Sequence, residues 1–129
     1  MLPFDVASCV LFIRNPVLTS STLQRYYYVY VIELDPAVRQ KRRFRSANPM
    51  MQASLPCVYV GSSVRTPDER FDQHKQGYKA NGYARAFGLK LRPELFEAYN
   101  PVPFRADAEE LESYLADRLR KKGYGVWQG

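Results

Sequence analysis

A glutamate stands among apolar residues in the last helical segment of the chain, where a carboxylate could do chemistry. At about 100° per residue one stripe of this segment is apolar, formed by Ala108, Leu111, Leu115 and Leu119. Glu112 projects within that stripe. A carboxylate that faces a core loses hydration unless it is paired or binds a metal ion. Glu112 is therefore a candidate metal ligand; the alternative is a glutamate at the stripe edge that reaches water or pairs with an arginine.

An arginine and a histidine four residues apart indicate an anion site. Arg70 and His74 share one face of a predicted helix at this spacing. A guanidinium beside an imidazole is not stabilising in itself, but the pair becomes favourable when an anion such as a phosphate lies between them. The alternative is that both are polar side chains in water.

Tyrosines form the third group that could do chemistry, with ten in the chain. Tyr30 and Tyr59 lie centrally in two predicted strands, and their hydroxyls could converge with Arg70, His74 and Glu112. Tyrosine also favours strands for packing reasons alone, so a structural role for both is the alternative.

The strands that must position these residues are predicted from aromatic and β-branched residues. Such residues are dense at 26–34 and recur at 57–60, and we expect the two segments to pair as antiparallel strands. The segment between them, 35–55, is polar and strongly basic, so we expect a basic loop there, with disorder as an open alternative. The apolar run at 6–13 fits either an extra strand or a short helix.

Helix boundaries are predicted from capping residues. Thr66 and Glu69 form a capping box, which predicts a helix over 67–76 that ends at Gly77. The other predicted elements are helices at 81–87 and 106–122, a strand at 89–91, and a strand or helical turn at 93–99. The order β, β, α, α, β, α describes a small α/β domain with helices packed on a short sheet.

Length and composition indicate one globular domain that needs no disulfide bonds. The chain has 129 residues, of which 46% are hydrophobic and 25% charged, which excludes wholesale disorder and fibrous repeats. Cys9 and Cys57 lack metal-ligand spacing, so a reduced, cytoplasmic protein is expected. The apolar run at 6–13 is far shorter than the roughly 20 residues that span a bilayer, and no basic segment precedes it. We therefore expect neither membrane insertion nor secretion.

The charge balance favours a polyanionic partner. Nineteen Lys and Arg residues stand against thirteen Asp and Glu residues, a formal net charge of +6. A mildly basic protein with no such partner is the alternative.

These residues resemble the motifs of the GIY-YIG nucleases, the family of certain homing endonucleases, restriction enzymes and the incision subunit of nucleotide excision repair. The first motif is similar to Tyr28-Val29-Tyr30 and the second to Tyr59-Val60-Gly61. Downstream, the family's arginine, histidine and metal-binding glutamate match Arg70, His74 and Glu112. The resemblance covers about 26–125 and implies a GIY-YIG-type α/β domain, with a short, mainly antiparallel sheet flanked by helices.

The chain departs from the family pattern in three places. Tyr28 replaces the glycine of the first motif, and the connection at 35–55 is longer and more basic than usual. The family's asparagine, expected near Gly125, is missing, and Asn100 precedes Glu112 instead of following it. With these departures, the implied division is an N-terminal extension at 1–25 and a nuclease-like domain at 26–129.

The resemblance implies metal-dependent hydrolysis of a phosphodiester. Glu112 would hold one divalent cation, Mg²⁺ or Mn²⁺, and Arg70 would neutralise charge on the phosphoryl oxygens. Tyr59 would help to activate the attacking water and Tyr30 would orient it; for a tyrosine to act as a base, Arg70 or the metal would have to lower its pKa. His74 would orient the water or hold the phosphate.

The implied partner is nucleic acid, with DNA as the expected substrate. Its phosphates would be bound by cations of the basic segment and the first helix, namely Lys41, Arg42, Arg43, Arg45 and Lys75. The sequence contains no helix-turn-helix, zinc finger or coiled coil, so we expect a homodimer or a separate DNA-binding partner. Two alternatives remain: a catalytically silent nucleic-acid-binding domain, and a partner-binding module in which the tyrosines are simply core.

Overall fold

Residues 25–129, which the computed structural model describes, build a four-stranded sheet with helices on both faces. The strands are β1 (Tyr28–Leu34), β2 (Cys57–Ser63), β3 (Gly88–Leu91) and β4 (Gly125–Gln128). The helices are α1 (Arg42–Ala47), α2 (Pro67–Gln76), α3 (Gly82–Phe87) and α4 (Arg105–Lys121). Short 3-10 helices cover Pro36–Gln40, Pro93–Leu95 and Glu97–Tyr99. The predicted α/β class is confirmed, whereas the apolar run predicted at 6–13 lies outside the described residues.

The sheet has the strand order β3-β1-β2-β4. Strand β1 pairs antiparallel with both β2 and β3, as the sequence predicts for β1 and β2, while β4 pairs parallel with β2. The sequence prediction missed β4. This strand has only four residues, and its partner β2 lies far away in the sequence, so its stability comes from non-local pairing that local propensity does not show.

The two faces of the sheet carry different side chains, because successive residues of a strand point to opposite sides. One face, here called the tyrosine face, carries Tyr30, Tyr59 and Trp127 and is covered by α2 and α3. The other, here called the valine face, carries Ser62 and Gln128 at one end and is covered by α4. Its fully buried members are Val29, Val31, Val58, Val60 and Val126.

The basic segment 35–55 is ordered and partly helical, which corrects the prediction of a basic loop and decides against the open alternative of disorder. It contains a 3-10 helix and α1, and it buries Val38 and Phe44 completely. These two apolar side chains anchor a segment whose charges point outward. Asn48 then fastens the segment to the edge strand: its amide donates to the Val126 carbonyl at 2.9 Å, and its Oδ1 accepts from the Val126 N–H at 2.8 Å.

The other helices follow their predicted signals closely. In α2 both hydrogen bonds of the Thr66–Glu69 capping box are present, and Gly77 ends the helix with a φ of 89°. The segment 93–99 forms helical turns, which decides between the two predicted alternatives. Within 25–129, none of the helices has the length and apolarity needed to cross a membrane.

Candidate active site

A polar cleft of about 470 Å³ opens where β2 reaches Gly61. It is lined by Tyr30, Tyr59, Gly61, Ser62, Arg70, Glu109, Glu112, Ser113, Gln128 and Gly129. Four of the five predicted catalytic residues therefore line one cavity, and the fifth, His74, lies directly behind Tyr30.

Glu112 is a buried carboxylate held by two hydrogen bonds. Its Oε1 accepts from the Ser62 hydroxyl at 2.7 Å and its Oε2 from the Gln128 amide at 3.1 Å. The side chain is only 7% exposed and, within 25–129, forms no ion pair with Lys or Arg. Burial raises the pKa of the carboxyl above its ordinary value; the two hydrogen bonds oppose this, and the charge of Glu109 adds to it. The structure therefore supports neither the water-facing nor the arginine-paired alternative.

The donor set around Glu112 suits a hard divalent cation. A buried carboxylate without a countercharge favours a cation beside it, and the neighbouring side chains offer oxygen atoms. No group of three or more His, Cys, Asp or Glu side chains within 25–129 could hold a metal ion. Glu109 is the other carboxylate that lines the cleft, so a metal at Glu112 would have at most two protein carboxylates and take water and substrate oxygens as further ligands, as Mg²⁺ often does.

His74 is a neutral side chain that positions Tyr30. It is 1% exposed, its Nε2 lies 3.0 Å from the Tyr30 hydroxyl, and its Nδ1 accepts from the backbone N–H of Asn81 at 3.3 Å. Because that backbone group can only donate, Nδ1 is unprotonated and the neutral ring donates from Nε2 to Tyr30. Burial, and secondarily the charge of Arg70, lowers the pKa of His74 to about 4. Both ring nitrogens are engaged by protein groups, so His74 acts on the cleft through Tyr30.

The two cleft tyrosines are neutral phenols at neutral pH. Burial raises the pKa of Tyr30, and the neighbouring Tyr59 adds to the rise. Burial and the charge of Glu112 raise the pKa of Tyr59. Arg70 lowers both values, but less than burial raises them. The hydroxyls are therefore suited to orient a water or a phosphate oxygen by hydrogen bonding.

Arg70 lines the cleft and also holds the turn between α2 and α3. Its guanidinium donates to the carbonyls of Tyr78 at 3.1 Å and Lys79 at 2.7 Å, and to Gln73 Oε1 at 3.1 Å. Lys79 has a φ of 43°, a left-handed conformation that costs energy in a residue other than glycine. These bonds hold that turn, and they place the positive charge near Tyr30 and Tyr59.

The position of Gly61 requires glycine. A Cβ there would lie 2.6 Å from the Tyr30 hydroxyl oxygen and 3.1 Å from Cε2 of Tyr59. The Y-V-G motif thus provides a tyrosine and, two residues later, the empty space that lets both rings close over the strand.

Sequence reasoning missed Gln128 and Ser62, the two partners of Glu112. Gln128 also donates to the Ser113 hydroxyl at 2.9 Å, so its amide is fixed from two sides. A search for an amide slightly beyond Gly125 could have found it, and Ser62 is recognisable as the polar residue directly after Y-V-G. Asn100 does not reach this site: its amide pairs with the backbone N–H and carbonyl of Val29 at 2.9 and 2.8 Å.

The predicted nucleic-acid-binding cations occupy three different surroundings. Lys41, Arg42 and Arg43 are exposed at the start of α1. Arg45 donates to backbone carbonyls of the preceding 3-10 helix. The ammonium of Lys75 donates to the carbonyls of residues 85 and 88 at 3.0 and 2.9 Å, so it fastens the end of α3 to α2.

Comparison with known proteins identifies a protein family. The family model for the GIY-YIG catalytic domain matches residues 26–125, more than three quarters of the chain. The matched range ends before Gln128. No curated protein and no solved structure matches the chain significantly.

Proposed function

The chain belongs to the GIY-YIG family, and from that membership and the cleft we propose that it is a metal-dependent endonuclease. It would hydrolyse phosphodiester bonds in nucleic acid, with DNA as the expected substrate. The observation that carries the proposal is Glu112, a buried carboxylate that forms no ion pair within residues 25–129 and shares one cleft with Arg70 and two phenolic hydroxyls.

The proposed roles follow the surroundings of each group. Arg70 would bind the phosphate and neutralise charge that develops on its non-bridging oxygens. A Mg²⁺ or Mn²⁺ ion held by Glu112 would polarise the phosphoryl group and stabilise the leaving oxygen. Ser62 and Gln128 would act as positioning residues, because they fix the orientation of the carboxylate.

The tyrosines would align the attacking water. Since burial keeps both phenols protonated, we assign Tyr59 and Tyr30 an orienting role with proton transfer coupled to attack. His74 would set the direction of the Tyr30 hydroxyl by donating to its oxygen, and the phenolic proton would then be donated to the neighbouring Tyr59 hydroxyl.

A catalytically silent nucleic-acid-binding domain is the competing proposal. It is favoured by the guanidinium of Arg70, which is already engaged by three protein acceptors and would have to release some of them to bind a phosphate.

The test is cleavage of supercoiled plasmid with and without Mg²⁺ or Mn²⁺, by the native protein, Glu112→Gln and Glu110→Gln. Glu112→Gln keeps the size and an acceptor for Ser62, and should lower metal-dependent nicking about 100-fold or more. Glu110→Gln removes the same charge from the exposed side of α4 and should leave nicking unchanged.

Folding and binding serve as separate readouts. Glu112→Gln removes a buried charge but also removes the acceptor of the Gln128 amide, so in the absence of metal its free energy of unfolding should stay within about 1 kcal/mol of the native value. Cleavage that survives Glu112→Gln would contradict the metal-ligand role. Binding without cleavage of plasmid, branched DNA and RNA would support the silent domain.

A further inference from the structure

A second cavity, of about 430 Å³, lies on the tyrosine face between α1, α3 and β4. We call it the α1–α3 groove. Its cationic side is formed by Lys41 and Arg43, and its aromatic side by Tyr83, Phe87 and Trp127. No acidic side chain of the described residues lines it.

The aromatic side is held in place by ring contacts. The ring of Trp127 meets that of Tyr83 at 4.8 Å between centroids and 86°, and Tyr83 meets Phe87 at 6.4 Å. The three rings are each half-buried, so they expose apolar surface while their neighbours fix them. Rings that are fixed in this way lose little conformational entropy when a ligand stacks on them.

The cationic side is uncompensated within the described residues. Within residues 25–129 both ion pairs are made by Arg92, so neither Lys41 nor Arg43 has an acidic partner there. The Lys41 ammonium lies 5.9 Å from the centre of the Phe87 ring, which places a positive charge directly beside the aromatic surface. Fixed rings beside free cations match a nucleotide, whose base stacks and whose phosphate is negative.

The groove adjoins the tyrosine side of the cleft. Trp127 is the Cα partner of Tyr59 across the β2–β4 pair, and both side chains point to the tyrosine face. Tyr59 lines the cleft and Trp127 lines the groove. Adjacent strands lie about 4.8 Å apart, so a nucleic-acid strand that leaves the cleft and crosses β4 would meet the groove within one strand spacing.

From this arrangement we propose that the α1–α3 groove binds an unpaired nucleotide of the substrate strand, with the base against the aromatic side and its phosphate at Lys41 and Arg43. The inference rests on the proposed function in taking a nucleic acid as the substrate. The nucleotide must be unpaired because a duplex covers the faces of its bases, and the rings need such a face. The preferred substrate therefore carries a single-stranded segment next to the cleaved bond.

The first measurement uses Trp127, the one tryptophan of the chain, as a reporter of the groove. Full-length protein carrying Glu112→Gln is titrated, without metal, with an oligothymidylate of about 10 nucleotides, within the usual site size of a single-strand groove. Stacking should quench the tryptophan emission. A closed duplex of equal phosphate number should quench far less, and equal quenching by both would overturn the proposal.

The second measurement separates phosphate contacts from general charge. Removing one phosphate contact lowers the slope of log affinity against log salt by about 0.7 for a single strand, and Arg43→Gln should show this decrease. Lys90→Gln removes an exposed cation on β3 and should leave the slope unchanged. Indistinguishable slopes for the two variants would overturn the phosphate assignment.

Aromatic variants complete the test. Trp127→Phe should bind oligothymidylate within a few-fold of the native affinity, whereas Trp127→Ala should lose about tenfold or more. Equal affinity of the Phe and Ala variants would overturn the assignment of the base to the aromatic side. If the Ala variant does not fold, the quenching titration and the salt dependence of Arg43→Gln decide instead. Plasmid nicking without quenching of the tryptophan emission would refute nucleotide binding in the groove and leave the nuclease proposal standing. Quenching without nicking of any substrate would refute the nuclease proposal and leave binding in the groove standing.

Discussion

Acidification from pH 7 to pH 4 should remove about 3 kcal/mol of folding stability through His74. The pKa of this imidazole is about 4 in the folded protein and 6.5 ordinarily. Between those values the unfolded chain binds a proton that the folded protein does not, at about 1.4 kcal/mol per pH unit. The stability contributed by His74 is therefore complete above pH 6.5 and is lost as the pH falls through 4.

The structural cause is that the surroundings of His74 in the folded protein disfavour the charged imidazolium form. The ring is 1% exposed and lies near the Arg70 charge, and a proton on Nδ1 would face the N–H of Asn81. Protonation would therefore break one hydrogen bond and bury a charge beside another of the same sign.

The chain contains one histidine, so its titration can be followed without assignment. The proton NMR signal of the imidazole should titrate near pH 4 in the folded protein and near 6.5 in urea. Urea denaturation of native protein and His74→Gln gives the energetic part, since their common carboxylates cancel. The stability difference should shrink by about 3 kcal/mol between pH 7 and 4. A folded-state midpoint near 6.5, or a difference that does not change with pH, would refute this reasoning.

Two further substitutions test the scaffold around the cleft. Gly61→Ala places a methyl group 2.6 Å from the Tyr30 hydroxyl oxygen, so it should cost about 1–3 kcal/mol in thermal denaturation and lower plasmid nicking, and native-like nicking would speak against the close approach. Asn48→Ala leaves the buried N–H of Val126 without its partner, while the Val126 carbonyl keeps a hydrogen bond from Arg120, so urea denaturation should show a loss of about 2 kcal/mol and hydrogen exchange at the Val126 amide should accelerate. A loss well below about 1 kcal/mol would contradict that assignment.

The features predictable from sequence are those set by local signals. Helix α2 carries its start at Thr66 and its end at Gly77, and helical periodicity alone placed Glu112 on the buried side of α4. The positions of Tyr30 and Tyr59 in two paired strands followed from the local density of aromatic and β-branched residues. In each case the residues that decide the structure lie within a few positions of one another.

The features that sequence reasoning missed depend on distant contacts. The i,i+4 spacing suggested a shared anion for Arg70 and His74, whereas both ring nitrogens of His74 are engaged by protein groups, Tyr30, 44 residues earlier, and Asn81. Glu112 finds Ser62 at a separation of 50 residues. The ordered α1 depends on the burial of Phe44 under a sheet whose edge strand comes near the end of the described chain. Charge patterning alone predicted a basic loop for this segment, 35–55.

The cleft draws its groups from both faces of the sheet, which has a consequence for protein engineering. Tyr30 and Tyr59 belong to one face and Ser62, with its partner Glu112, to the other, so the short step through Gly61 connects the two sets. Helix α2 packs on the tyrosine face and α4 on the valine face, so each layer brings its own residues to the cleft. A single residue inserted after Gly61 would instead send Ser62 to the wrong face, since the side-chain period of a strand is two. Length changes in this part of β2 should therefore be far less tolerated than changes of side chain in either layer.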